Sequence, residues 1–107
     1  MSFLKKLFGG PEIESAESIR AKVKKGALIL DVRTEQEFES GHILGAVNIP
    51  LGMINEVAED IKKQKKVVLA YCRSGRRSEM ATNLLKRRGV EVYNAGGYAG
   101  LNAILKR

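Results

Sequence analysis

Two short apolar runs, each ending in a residue with chemistry of its own, constrain this chain more than any other feature. Ala27-Leu28-Ile29-Leu30 runs without interruption into Asp31, and Val67-Val68-Leu69-Ala70-Tyr71 runs into Cys72. Apolar runs of this length, without polar alternation, mark strands covered on both faces. Around them the apolar spacing is helical. Ile19 and Val23 lie one turn apart, with Ser15 placed to cap a short surface helix and Gly26 to end it. Leu51, Ile54, Val57 and Ile61 predict a helix over residues 51–63 whose Glu56, Glu59, Asp60 and Lys62 are solvated. Met80, Ala81, Leu84 and Leu85 predict another before Gly89, with Met80 in the core. Thr34 and Glu37 form a capping-box pattern for a short helix anchored by Phe38 and ended by Gly41. Val47 and Ile49 fit a further strand before Pro50, residues 90–93 another followed by a turn at 94–97, and Leu101, Ile104 and Leu105 a last helix.

Strands separated by helices at these lengths predict βα repeats and a mainly parallel sheet covered on both faces. In such folds, functional residues collect where loops leave the C-terminal ends of strands. Asp31, Cys72 and the Gly96-Gly97 turn all fall there. The 107 residues, 44% of them hydrophobic, suffice for one domain, expected over residues 11–107 behind a tail at 1–10. That tail, MSFLKKLFGG, has no apolar stretch long enough for a signal peptide or a membrane span. We therefore expect a cytoplasmic protein without stable membrane insertion, whose amphipathic tail could at most touch a membrane or a partner.

One cysteine and one histidine exclude an internal disulfide and the usual nitrogen and sulfur ligands of a structural metal, so no metal or cofactor is expected. The net charge of +7 invites a polyanion-binding reading, but the charge is unevenly placed. Seven basic and ten acidic side chains precede residue 62, and twelve basic and two acidic follow from it. The three Tyr and three Phe form no aromatic platform and no nucleic-acid motif is present, so nucleic acid is not an expected partner. The clusters at 62–66 and 86–88 read as solvated helix ends or as a dock for an acidic partner.

The remaining cluster surrounds the cysteine. A lone Cys at a strand end is often a small buried hydrophobe. Here Cys72 is followed by Arg73, Ser74, Gly75, Arg76, Arg77 and Ser78 and then by a helix, so backbone N–H groups and a helix N-terminus can point toward its sulfur. Such a nest, with nearby guanidinium groups, lowers a thiol pKa and stabilises a thiolate. The same donors would hold a small anion in line with the sulfur, or a persulfide formed on it. Gly75 supplies backbone angles that other residues resist. His42 is the only candidate general base, and it reads as a turn residue bonded to backbone.

With these pieces in place, the chain resembles a single-domain rhodanese, a sulfurtransferase. The segments LILDVRTEQEF at 28–38, GHILGAVNIP at 41–50, YCRSGRR at 71–77 and NAGGY at 94–98 carry the resemblance across roughly residues 12–105. It implies a three-layer α/β fold with a mainly parallel five-stranded sheet. It also implies activity of the thiosulfate:cyanide sulfurtransferase type. Cys72 would take the outer sulfur of thiosulfate or of another persulfide donor and pass it to cyanide, a small thiol or a protein thiol. The alternative within the family is a persulfide relay or interaction module with little thiosulfate activity. The resemblance makes 72–77 a six-residue catalytic loop closed by Arg77, assigned with Arg73 and Arg76 to anion recognition. It gives Asp31 and Arg33 the task of organising the active-site side of the sheet and His42 a structural place in its turn. Gly96 and Gly97 would keep the sulfur pocket open. The related phosphatases separate Cys and Arg by five residues; Ser78 stands at that position here, which disfavours phosphate transfer.

Overall fold

The computed structural model describes residues 9–106. The apolar and basic segment before residue 9, expected to act as a tail, lies outside the described residues, as does Arg107. The elements run α1 (Ala16–Lys24), β1 (Leu28–Asp31), α2 (Glu35–Glu39), β2 (Val47–Asn48), a 3₁₀ turn (Leu51–Met53), α3 (Ile54–Lys63), β3 (Val68–Cys72), α4 (Arg76–Arg87), β4 (Val92–Gly97) and α5 (Tyr98–Leu105). The sheet is parallel throughout, in the order β2-β1-β3-β4.

Local sequence explains most boundaries. Ser15 caps α1 by accepting the Ser18 N–H, and Gly26 turns the chain out with a φ of 91°. Thr34 and Glu37 close the expected capping box around α2. The side chains of β1 and β3 alternate between two cores, as strand geometry requires. Leu30, Val68, Ala70 and Cys72 face α3 and α4, meeting Ile54, Ala58, Ile61, Ala81 and Leu85. Ile29, Leu69 and Tyr71 face α1 and α5, meeting Ile19 and Leu101. All five residues of β3 are buried, so the apolar run leading to Cys72 is the centre of the molecule.

Several expectations are corrected. Among the described residues the sheet has four strands rather than five. The segment before α1 lies beside β4 through the Glu14 N–H to Asn94 carbonyl bond (2.8 Å). Pro11 has no N–H to give and Ser15 starts the helix at once, so no ladder develops. Residues 94–97 are the end of β4 rather than a turn. Asn94 pairs with Ala70 and Gly96 with Tyr71, leaving Ala95 as the extra residue of a bulge. Met80 is 61% exposed and no part of the core. Phe38 is half-buried, stacked on the His42 ring at a centroid distance of 3.7 Å, and α2 contributes no buried residue.

Candidate active site

Cys72 closes β3, fully buried and facing α4. Three residues later the chain enters that helix, and Gly75 makes the corner with a φ of 95°. No side chain caps α4, so its first N–H groups are free for another acceptor, and the sulfur is that acceptor. The Gly75 N–H reaches Sγ at 3.1 Å, the Ser78 N–H at 3.4 Å and the Ser78 hydroxyl at 3.4 Å. Burial pushes the thiol pKa up. The Ser78 hydroxyl and the N–H groups of Ser78, Ser74 and Gly75 outweigh that and hold it below the ordinary cysteine value. The cradle is thus built from dipoles, and the helix begins inside the expected loop, with Arg76 and Arg77 already helical.

A second ring of contacts fixes this geometry. Asn94 on β4 donates through Nδ2 to the Gly75 carbonyl (2.9 Å), while its Oδ1 accepts the Ser78 hydroxyl (2.7 Å) and the Gly96 N–H (3.0 Å). One buried amide therefore ties the loop, the start of α4 and the bulge of β4 together. The single Ser78 proton serves either Asn94 or the sulfur, so a charge gained at Sγ can draw it over. Gly97 permits the closest approach: a Cβ there would stand 2.4 Å from the Arg73 carbonyl oxygen. Its missing side chain admits the loop backbone, where the sequence suggested an open sulfur pocket. At Gly96 the φ is 88° and a Cβ would meet Ile13 Cγ2 at 3.2 Å.

The arginines separate into two kinds. Arg73 and Arg76 are exposed, as is Ser74, and among the described residues neither arginine has an ion-pair partner. Arg77 is half-buried and held by Glu37 of α2 in a two-pronged pair, Nη1 to Oε1 at 2.7 Å and Nη2 to Oε2 at 2.9 Å. Arg77, expected to take part in anion recognition, has its fork filled by a carboxylate of the chain itself. Hydrogen bonding from Arg77, then from the Thr34 N–H, pushes the Glu37 carboxyl down to about 2, so it is ionised at neutral pH.

Asp31 and Arg33 form a buried pair beside the site. Arg33 gives its backbone N–H and Nε to Oδ1 (2.9 and 3.0 Å) and Nη2 to Oδ2 (2.7 Å), and Nη2 also reaches the Gly41 carbonyl. The Tyr71 hydroxyl donates to Asp31 Oδ2 (2.6 Å) and accepts the Ile43 N–H. Burial, then the bond to Asp31, raises the Tyr71 pKa well above its ordinary value. Arg33 also lies over the Tyr71 and Tyr98 rings. His42 is exposed, with Nδ1 2.8 Å from the Phe38 carbonyl, so it belongs to the turn. Among the described residues no cluster of His, Cys, Asp and Glu is arranged to hold a metal ion.

Sequence reasoning overlooked Ser78, Asn94 and Glu37. Ser78 follows the loop directly at the third helical position, where an unbonded N–H is expected, and that was the available signal. Glu37 and Asn94 are distant in sequence, and only the parallel packing brings them in.

Comparison with known proteins agrees with this geometry. The model of the rhodanese-like domain matches residues 15–103. The thiosulfate sulfurtransferase PspE of Escherichia coli is 37% identical over 70 residues, covering 64% of this chain and 67% of that protein. YrkF of Bacillus subtilis, named as a candidate sulfur carrier, is 42% identical over 81 residues, covering 74% of this chain. The match spans 43% of YrkF, less than half its length. The crystal structure of SSP1007 from Staphylococcus saprophyticus superposes with a TM-score of 0.71 at 28% identity, covering 84% of this chain and 92% of that one.

Proposed function

This chain belongs to the rhodanese-like domain family, and on that premise we propose that it is a sulfurtransferase whose carrier is Cys72, loaded from thiosulfate or a related persulfide donor. The Cys72 thiolate attacks the outer sulfur of the donor. A new S–S bond forms, the bond from that sulfur to its former partner breaks, and the electron pair leaves with sulfite when the donor is thiosulfate. Attack by cyanide, a small thiol or a protein thiol on the terminal sulfur then returns the thiolate. The observation that carries this reading is the buried sulfur with three hydrogen-bond donors within 3.4 Å. Those dipoles favour an anionic sulfur, and they need no proton-accepting base. A thiol that must be reduced to accept sulfur fits a reducing compartment such as the cytoplasm. No helix among the described residues is long and apolar enough to cross a membrane.

The test is intact mass spectrometry of the reduced protein after incubation with thiosulfate. One added sulfur, removed by cyanide and missing in Cys72→Ser, is the expected result; a folded, reduced protein that gains no sulfur from thiosulfate or from a persulfide donor overturns the reading. A persulfide relay with little thiosulfate activity is a second reading, favoured by the closed Arg77–Glu37 pair and by the likeness to YrkF. Loading from persulfides but poorly from thiosulfate distinguishes it.

A further inference from the structure

Glu37 is held in place twice over. Its Oε1 closes the capping box by accepting the Thr34 N–H (3.0 Å), and the same carboxylate grips Arg77 with both oxygens. Arg77 lies in the first turn of α4, the turn whose N–H groups bind the Cys72 sulfur, and the charge on that sulfur helps keep the guanidinium protonated after the larger effect of Glu37. A fixed negative charge is therefore paired with the guanidinium of this turn, and it occupies a fork whose geometry suits an incoming oxyanion.

We propose that Glu37 sets donor specificity, handicapping the loading of Cys72 by doubly charged oxyanions such as thiosulfate relative to donors of lower charge. This deepens the sulfurtransferase reading and rests on it. Glu37 touches no substrate; it acts through Arg77, by neutralising the guanidinium and filling its fork. A fixed charge acts on each unit of charge the donor carries, so its effect on a dianion is the square, as a ratio, of its effect on a monoanion. Any change that Glu37 makes in the nucleophilicity of Cys72 is common to all donors and cancels in their ratio.

The test compares thiosulfate with methanethiosulfonate, a monoanion that gives up the same kind of outer sulfur and releases a sulfinate in place of sulfite. Glu37→Gln is the informative variant because glutamine still serves a capping box while the charge is removed. From the square relation, kcat/KM with thiosulfate should rise about tenfold and with methanethiosulfonate about threefold, so their ratio shifts about threefold toward thiosulfate at low salt. The shift should shrink as ionic strength rises. Thr34→Ala, which breaks the cap and keeps both charges, should leave the ratio unchanged. Equal changes for both donors in Glu37→Gln, or a Thr34→Ala ratio that moves as far, overturn the proposal while sulfur loading itself continues. A folded, reduced wild-type chain that is loaded by neither donor nor by a persulfide overturns the sulfurtransferase reading beneath it.

Discussion

Two polar centres are buried side by side at the C-terminal ends of β1 and β3, and they handle charge in opposite ways. At Asp31 the charge is cancelled: Arg33 and Tyr71 supply donors to both carboxylate oxygens, and the cluster is closed on all sides. At Cys72 the charge is supported chiefly by partial charges, from backbone N–H groups and one hydroxyl. Arg77, in the first turn of the same helix, is paired with Glu37. A closed ion pair has nothing left to react with, and it makes a scaffold. A sulfur held by dipoles keeps its charge and its nucleophilicity, which is what a sulfur carrier requires.

Breaking each centre should therefore damage different properties. Cys72→Ser should lower sulfur loading below detection while the thermal unfolding temperature stays within a few degrees of wild type. Intact mass and circular dichroism melting check both halves of that statement. Asp31→Ala should strand the Arg33 guanidinium and leave the Tyr71 hydroxyl without its acceptor, destabilising the fold by about 3 to 5 kcal/mol in chemical denaturation. Reactivity per folded molecule should persist in that variant. Gly97→Ala falls between the two cases. A methyl group against the Arg73 carbonyl forces the loop backbone to move, so loading should fall about tenfold or more through misplacement of the donors, with a stability loss of about 1 to 3 kcal/mol. A Gly97→Ala protein that loads sulfur at the wild-type rate would remove the close approach from the account.

The acid side offers a smaller test. Because the folded Glu37 carboxyl is depressed to about 2, its pair with Arg77 contributes stability at neutral pH that is lost as pH falls from the unfolded carboxylate range toward 2. Glu37→Gln should flatten this part of the pH–stability curve, measured by denaturant midpoints between neutral and acid pH.

The division between the two centres also explains what could be read from the sequence. Features encoded within a few residues were legible: the apolar runs of β1 and β3, the Ser15 and Thr34 caps, the Asp31-x-Arg33 spacing and the glycine corner after Cys72. Residues 94–97 have the composition of a turn, yet pairing with Tyr71 and Cys72 draws them into the sheet and makes room for the extra Ala95. Met80 has helical spacing with Ala81 and Leu84, but in the second turn of α4 its direction leads away from the sheet into solvent. Glu37 and Arg77 are forty positions apart, and Ser78 and Asn94 sixteen, so no local pattern could reveal those partnerships. The cysteine proposed as nucleophile was legible; the partners around it were not.

The hydrogen bonds at the start of α4 favour the anionic form of the Cys72 sulfur. The most direct measurement is the rate of iodoacetamide alkylation of Cys72 as a function of pH, in wild type and in Ser78→Ala. The expected wild-type inflection lies below the ordinary cysteine value and moves to higher pH in Ser78→Ala. A wild-type inflection at or above the ordinary cysteine value, or one that Ser78→Ala leaves in place, would contradict it.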